Sequence, residues 1–311
     1  MKLPIDFIIT ISGEKVQGFG EDASFKGYLP PLGAFGVFDG CGGIGSQKYE
    51  IHDGKTGAYL AATTAALVTE KYFAENREII TEFNKTQIEK FSAGLSKEIK
   101  KSLLALDKEC TAVCGSLVKR FPTTAAIIAF KEEKKTLSAS FIWAGDSRGY
   151  ILEEDGLVQI TRDDIIGEED AFSNIESDAR LSNFISADGS FSLRIRMANI
   201  TWPSLLITAT DGCFGYFSTP MEFEYVLLDT LIKSDGCEEW KARLYKELAD
   251  SSGDDFTINI CAVGFGSFEK LRKTFLRRTA WIKKKYIDKL SNSDREKREK
   301  LWNKYKKDYY A

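Results

Sequence analysis

Four apolar runs in this sequence meet an acid at a glycine. "FGVFDGCGG" ends on Asp39, "FIWAGDSRG" on Asp146 and "LLITATDG" on Asp211, while "SSGDDFTINI" sets Asp254 and Asp255 ahead of a strand. An acidic pair, Glu21 and Asp22 in "GFGEDASF", precedes them all. Runs of Val, Ile, Phe and Thr read as buried strands, and one Asp-Gly after such a run is an ordinary turn former. Repetition at several strand ends is more constraining. A sheet arrangement that brings those ends together gathers carboxylates whose repulsion must be relieved by raised pKa values or by cations. Oxygen donors suit hard ions such as Mg²⁺ or Mn²⁺ better than Zn²⁺, and the chain has a single histidine, His52.

Around these ends the order of elements indicates the fold class. "DFIITISG", "DASFKGYL" and "AFGVFDG" read as strands, followed by two helices with apolar residues at three- and four-residue spacing, "GKTGAYLAATTAALVTEKYFAEN" and "EFNKTQIEKFSAGLSKEIKKSLLALDKE". "TTAAIIAF", "TLSASFIWAG", "RGYILEED" and "GLVQIT" form two hairpins in the simplest reading. A polar stretch from Asp163 to about Asn183 leads to the strand "SLLITATDG", helices near "PMEFEYVLLDTLIK" and "EEWKARLYKELADS", and the strand "DFTINICAVGF". Strands in runs with helices grouped between them indicate an α+β domain, not a regular βαβ alternation.

No apolar stretch approaches the roughly 20 residues of a membrane-spanning helix. "MKLPIDFIITISG" is interrupted by Asp6 and lacks a small-residue cleavage site, so it reads as a first strand and a cytoplasmic location is expected. The six cysteines (Cys41, Cys110, Cys114, Cys213, Cys237 and Cys261) are scattered and expected to be reduced. Cys110 and Cys114 share a helix face in this reading, but with one histidine and no second close pair they do not make a zinc site.

The blocks "GEDASF", "FGVFDGCGG", "AGDSRGYI", "LLITATDG" and "GDDFTINICAV" resemble, in order and approximate spacing, those of the metal-dependent type 2C serine/threonine protein phosphatases, over about Asp6 to Phe265. The resemblance implies a four-layer α-β-β-α sandwich, two antiparallel sheets flanked by helix pairs, forming a catalytic domain over residues 1–266. It implies two Mg²⁺ or Mn²⁺ ions at one end of the sandwich. Asp39 would bridge both ions, with the carbonyl of Gly40 a ligand beside it. Glu21 would bind one metal, Asp22 would act directly or through water, and Asp211 and Asp254 would complete the other site. Asp146 would resemble the ligand of a weaker third ion. The implied activity is hydrolysis of phosphoserine or phosphothreonine in proteins by a metal-activated water, without a phosphoenzyme intermediate.

Three departures accompany the resemblance. Gln17 stands where the family has a phosphate-gripping arginine, and an amide offers no charge, so phosphate binding would need another cation such as Lys15. Cys41 replaces a histidine that could protonate the leaving group, and otherwise reads as a small residue filling a turn. "TRDD" puts Asp164 where Thr-x-Asp-His is usual, and Asp255 adds a charge where Asn is usual. Two other readings stay open: an inactive pseudophosphatase serving as a binding module, and a phosphatase of small metabolites.

The segment from 267 to 311 has no counterpart in the family core. From Phe268 onward it holds sixteen Lys or Arg against six Asp or Glu, so this part is near +10 and the rest near −13. Leu271, Phe275, Trp281 and Ile282 recur at near-helical spacing, and "SNSDREKREKLW" resembles a helix start capped by Ser293. Two amphipathic helices joined near Asn292 are expected. Either their apolar faces pack on the acidic body, or the basic tail docks a partner such as a cognate serine/threonine kinase or its substrate, an anionic lipid surface or nucleic acid.

Overall fold

The computed structural model describes residues 5–108, 119–133, 136–167, 170–176, 180–290 and 294–310. In chain order the strands are β1 (Ile5–Gly13), β2 (Ala23–Leu29), β3 (Leu32–Phe38), the short ribbon β4 (Lys48–Tyr49) and β5 (Lys55–Thr56), β6 (Ala125–Glu132), β7 (Thr136–Ala144), β8 (Arg148–Glu153), β9 (Gly156–Gln159), β10 (Arg194–Thr201), β11 (Ser204–Ala209) and β12 (Phe256–Val263). The helices are α1 (Gly42–Gly45), α2 (Gly57–Asn76), α3 (Lys85–Lys108), α4 (Ala171–Glu176), α5 (Pro220–Ile232), α6 (Cys237–Ser251), α7 (Phe268–Ile282), α8 (Asp288–Leu290) and α9 (Arg295–Tyr309). No described helix is long and apolar enough to cross a membrane.

Two five-stranded antiparallel sheets stack face to face, in the orders β1-β12-β11-β8-β9 and β10-β7-β6-β3-β2. Alternation along the strands makes three apolar layers from them. Leu206, Cys261 and Val263 of the first sheet meet Phe35, Ile128, Phe130 and Phe141 of the second. Leu205, Ile207, Ile258 and Ile260 point the other way, onto α5, α6, α7 and α9. Phe38, Ile127 and Ile142 pack outward on α2 and α3. The α-β-β-α sandwich implied by the resemblance is therefore the architecture. On α2 the stripe Ala58, Ala61, Ala62, Ala65 is fully buried, and its small side chains let the helix lie close on the sheet.

The two expected hairpins, β6–β7 and β8–β9, belong to different sheets, so the Gly145–Ser147 turn carries the chain across the sandwich. Registers align the acid-bearing ends: Ala23 lies opposite Phe38, Ala125 opposite Ala144, and Arg148 and Ile258 both opposite Ala209. Buried Asn259 of β12 pins the sheets to each other by donating to the Gly36 carbonyl on β3 (2.9 Å) while accepting from Thr10 Oγ1 (2.7 Å). Of the strands in the two large sheets, one escapes the sequence reading. β10 is an edge strand whose Arg-Ile-Arg-Met alternation lacks the apolar density of its neighbours, because an edge needs less burial.

The basic segment packs on the body. Leu271, Phe275 and Ile282 of α7 are buried as expected, but Trp281 is 37% exposed and lies outside that stripe. One residue before Ile282 is about 100° around the helix, so both cannot face the core. Tyr286, Leu290, Leu301, Trp302, Tyr305 and Tyr309 continue the burial into the apolar layer over the first sheet. The expected joint at Asn292 and cap at Ser293 lie outside the described residues. Helix α9 opens on Asp294, whose carboxylate accepts from the Lys297 amide (2.9 Å). Fully buried Glu224 of α5 ties these helices together: Arg278 of α7 grips both its oxygens (2.6 and 3.0 Å) and the Tyr305 hydroxyl of α9 donates to it. Arg278→Ala leaves that carboxylate buried without its cation, and is expected to cost about 3–5 kcal/mol. Urea denaturation measures this; a loss below about 1 kcal/mol would contradict the role given to the pair.

Candidate functional site

The strand ends bring Glu21, Asp22, Asp39, Asp146, Asp211, Asp254 and Asp255 together at one end of the sandwich. Asp39, directly after β3, lies within electrostatic reach of Asp211, Asp22 and Asp146. Asp211 in turn feels Asp254, and Glu21 feels Asp255 and Asp254. Glu21, Asp22, Asp39, Asp146, Asp211 and Asp255 are half-buried, whereas Asp254 is exposed.

Neighbouring groups fix each acid. The Asp39 carbonyl accepts from the Thr123 hydroxyl (2.7 Å) and the Thr124 amide (2.8 Å). Thr56 caps α2 by accepting from the Tyr59 amide (3.1 Å) and donates its proton to Glu21 Oε1. Gly42 is needed here, since a Cβ would fall 2.2 Å from Glu21 Oε2. Gly40 is needed too, because a Cβ there would fall 2.8 Å from both the Ala58 and Glu21 carbonyl oxygens. Thr210 donates to Asp22 Oδ2 (2.9 Å) while accepting from the Thr257 amide (2.9 Å).

Asp255 accepts from the backbone amides of Lys15 and Glu21, both at 2.8 Å, so it clamps the 14–21 loop to the start of β12. Its charge is thereby put to structural use. Behind Asp146, Ser147 shares a hydrogen bond with Thr124 (2.6 Å), and buried Arg148 pairs with buried Asp163 (2.7 Å) while its guanidinium stacks on Phe214 (4.1 Å). Gln159 and Asn174 also donate to Asp163 (3.1 and 2.8 Å). Asp164 accepts from the Gly145 amide (3.3 Å), Asn183 (2.6 Å) and Arg194 Nε, which makes it a buried anchor and not a general acid.

The electrostatics follow from this crowding. Burial first, then the charges of Asp211 and Asp255, push the Asp22 carboxyl up to about 8 against the opposing Thr210 bond. Burial and Asp211 likewise push Asp146 up to about 8. Asp39 is raised well above the carboxylate range by burial and by its three acidic neighbours. Burial and the same acids push the Cys41 thiol well up, so it stays protonated and is not the thiolate that oxidation requires. Gln17 and Lys15 are exposed on the 14–21 loop.

Among the described residues no three His, Cys, Asp or Glu side chains form a ready ligand set. The donor chemistry nevertheless fits hard cations: carboxylates in mutual repulsion, held by hydroxyls and amides and not by basic side chains, beside the Gly40 carbonyl. Sequence reasoning missed the supporting groups Thr56, Thr210, Asp163 and Arg194. Only Thr56 carried a local signal, as a threonine placed just ahead of a helix.

No protein-family model matches the chain, and no curated protein matches it by sequence. Similar solved structures exist. Serine/threonine phosphatase Stp1 from Staphylococcus aureus superposes with a TM-score of 0.61 at 18% identity, covering 85% of this chain and 96% of that one. The catalytic domain of serine/threonine protein phosphatase PstP in complex with two manganese ions gives 0.54 at 17% identity, covering 83% and 98%. The S. agalactiae serine/threonine phosphatase gives 0.60 at 14% identity, covering 83% and 100%. At such identities the likeness establishes the fold.

Folded, Asp22 and Asp146 keep their protons to about pH 8. Unfolded, they ionise near 4. Between those values the folded state binds more protons, so the metal-free protein should lose stability as pH rises from about 5 to about 8. Divalent cations compete for the same oxygens, so excess Mn²⁺ should raise Tm by several degrees more at the upper end of that range than at the lower. Scanning fluorimetry with and without Mn²⁺ reads both effects, and a Tm that rises with pH in metal-free protein would contradict this account.

Proposed function

We propose that this chain is a divalent-metal-dependent phosphoric monoester hydrolase acting on phosphoserine or phosphothreonine in proteins. The observation that carries the reading is the convergence of Glu21, Asp22, Asp39, Asp146, Asp211 and Asp254 at one end of a sandwich whose fold is shared with bacterial serine/threonine phosphatases. When bound, Mg²⁺ or Mn²⁺ supplies Lewis acidity that makes water nucleophilic at neutral pH, and positive charge for the developing phosphoryl oxyanion.

The chain's own residues have distinct tasks. Asp39 and the Gly40 carbonyl would hold the ions jointly, with Glu21 and Asp22 on one side, Asp211 and Asp254 on the other, and Asp146 at a weaker third position. Thr56 and Thr210 orient Glu21 and Asp22 by donating to one oxygen of each. Asp255 holds the loop that carries Gln17. Cys41, a neutral thiol, fills the turn after Asp39. Phosphorylated proteins are the proposed partners and the cytoplasm the proposed location.

A binding module without turnover is the second reading, favoured by the uncharged Gln17 at the position that would grip phosphate. The absence of Mn²⁺ binding in calorimetric titration would select it.

Asp39→Asn is expected to lower Mn²⁺-dependent hydrolysis of p-nitrophenyl phosphate by about 10³-fold or more, with the circular dichroism spectrum unchanged. Full activity in that variant would overturn the reading. Restoring a guanidinium with Gln17→Arg should raise kcat/KM by about tenfold, mainly through a lower KM, because a charged fork binds phosphate where an amide does not.

A further inference from the structure

Beside Asp146 a groove of about 470 Å³ opens along the edge of the second sheet, lined by Trp143, Arg162, Asp163, Asp164, Arg194 and Ile195. Its wall adjoins the acidic site through the chain. Asp164 exchanges hydrogen bonds with Gly145, the residue before Asp146, and Trp143 is two residues further back on β7. The two acids in its wall are already neutralised, Asp163 by Arg148 and Asp164 by Arg194.

The arginines of β10 are differently placed. Arg194 spends only its Nε on Asp164, its side chain is 52% exposed, and its two terminal nitrogens donate to no described residue. Arg196 lies two residues along the same strand face, opposite Phe141 as Arg194 is opposite Trp143, and makes no hydrogen bond or ion pair with a described residue. β10 is the last strand of its sheet, so its outer edge of amides and carbonyls has no described strand beside it. Residues i and i+2 of a strand stand about 6.5–7 Å apart, the same repeat at which an extended peptide presents alternate side chains.

Building on the phosphatase reading above, we propose that the β10 edge binds an extended segment of the phosphoprotein substrate that carries acidic residues at alternate positions beside the phosphorylated one, with Arg194 and Arg196 reading the carboxylates. The peptide adds to the sheet edge through its backbone, which supplies affinity without sequence preference. The two guanidiniums supply the preference for acid-x-acid, and Arg194 is the stronger reader because Asp164 holds its fork in place. Selectivity placed here would offset the weak phosphate grip expected of Gln17.

The test uses the full chain with Mn²⁺ and two fluorescent phosphothreonine peptides, one flanked by Glu-x-Glu and one by Gln-x-Gln, measured by anisotropy. The acidic peptide should bind about tenfold more tightly, a preference that shrinks as salt is raised. Arg196→Gln, which breaks no described bond, should cut the preference to about threefold. Arg194→Lys keeps a cation for Asp164 but loses the fork, and should cut it similarly. Combining the two should bring the ratio near one. Equal binding of the two peptides by wild type, or a preference untouched by both substitutions, would overturn the proposal. Hydrolysis of p-nitrophenyl phosphate by wild type is followed in parallel. Its absence would overturn the phosphatase reading, while the anisotropy ratio would still decide what the β10 edge recognises.

Discussion

The mutual repulsion of half-buried carboxylates at one end of the sandwich is the constraint on which the rest of the structure turns. Six acids within reach of one another cannot all be ionised away from water without a counter-charge. In the protein alone, protons take that role: Asp22 and Asp146 are pushed up to about 8, and Asp39 well above the carboxylate range. A fold seeking stability alone would not gather them. The cost is tolerable because the sheets are pinned independently, through three apolar layers and the Asn259 link between them.

Support for the acids comes from a shell of neutral donors. Hydroxyls of Thr56, Thr210 and Thr123 and the amide of Thr124 hold side chains or backbone in place without supplying charge. Positive charge is kept one step away. Arg148 is paired with Asp163 and Arg194 with Asp164, so each guanidinium braces the Gly145–Ser147 turn without neutralising Asp146 directly. The C-terminal helices extend that bracing. Trp302 donates to both oxygens of Asp170 (2.9 and 3.0 Å), the Tyr310 hydroxyl accepts from the Ala171 amide (2.6 Å), and Arg162 stacks on the Tyr310 ring (4.2 Å). Of the two readings the sequence left open for the basic segment, packing holds: it is an apolar and aromatic buttress on the body.

The strands and the acids at their ends were legible because both depend on local signals: apolar alternation, and Asp-Gly at the point where the strand stops. Grouping the strands and helices gave the α+β class, and the family resemblance implied the sandwich. Three things were not legible. β10 was hidden because an edge strand tolerates arginines at the positions that would otherwise mark it. The role of Asp255 was hidden because its partners, the amides of Lys15 and Glu21, are more than two hundred residues away in the chain. Trp281 was placed in the buried stripe because an aromatic beside Ile282 carries the same hydrophobic signal whichever way it faces.

The sequence by itself determined most of the strands, that several of them end on carboxylates, and that the oxygen-rich donor set suits hard cations. Those facts reside in residue type and period, which act over a few residues. Only the tertiary structure decided that the acids meet, which of them are protonated, that Asp163 and Asp164 are spent on arginines, and that the basic helices are core. Burial and electrostatic coupling depend on distances through space. Those distances are set by the crossing of the chain between sheets and by strand register, neither of which any local stretch encodes.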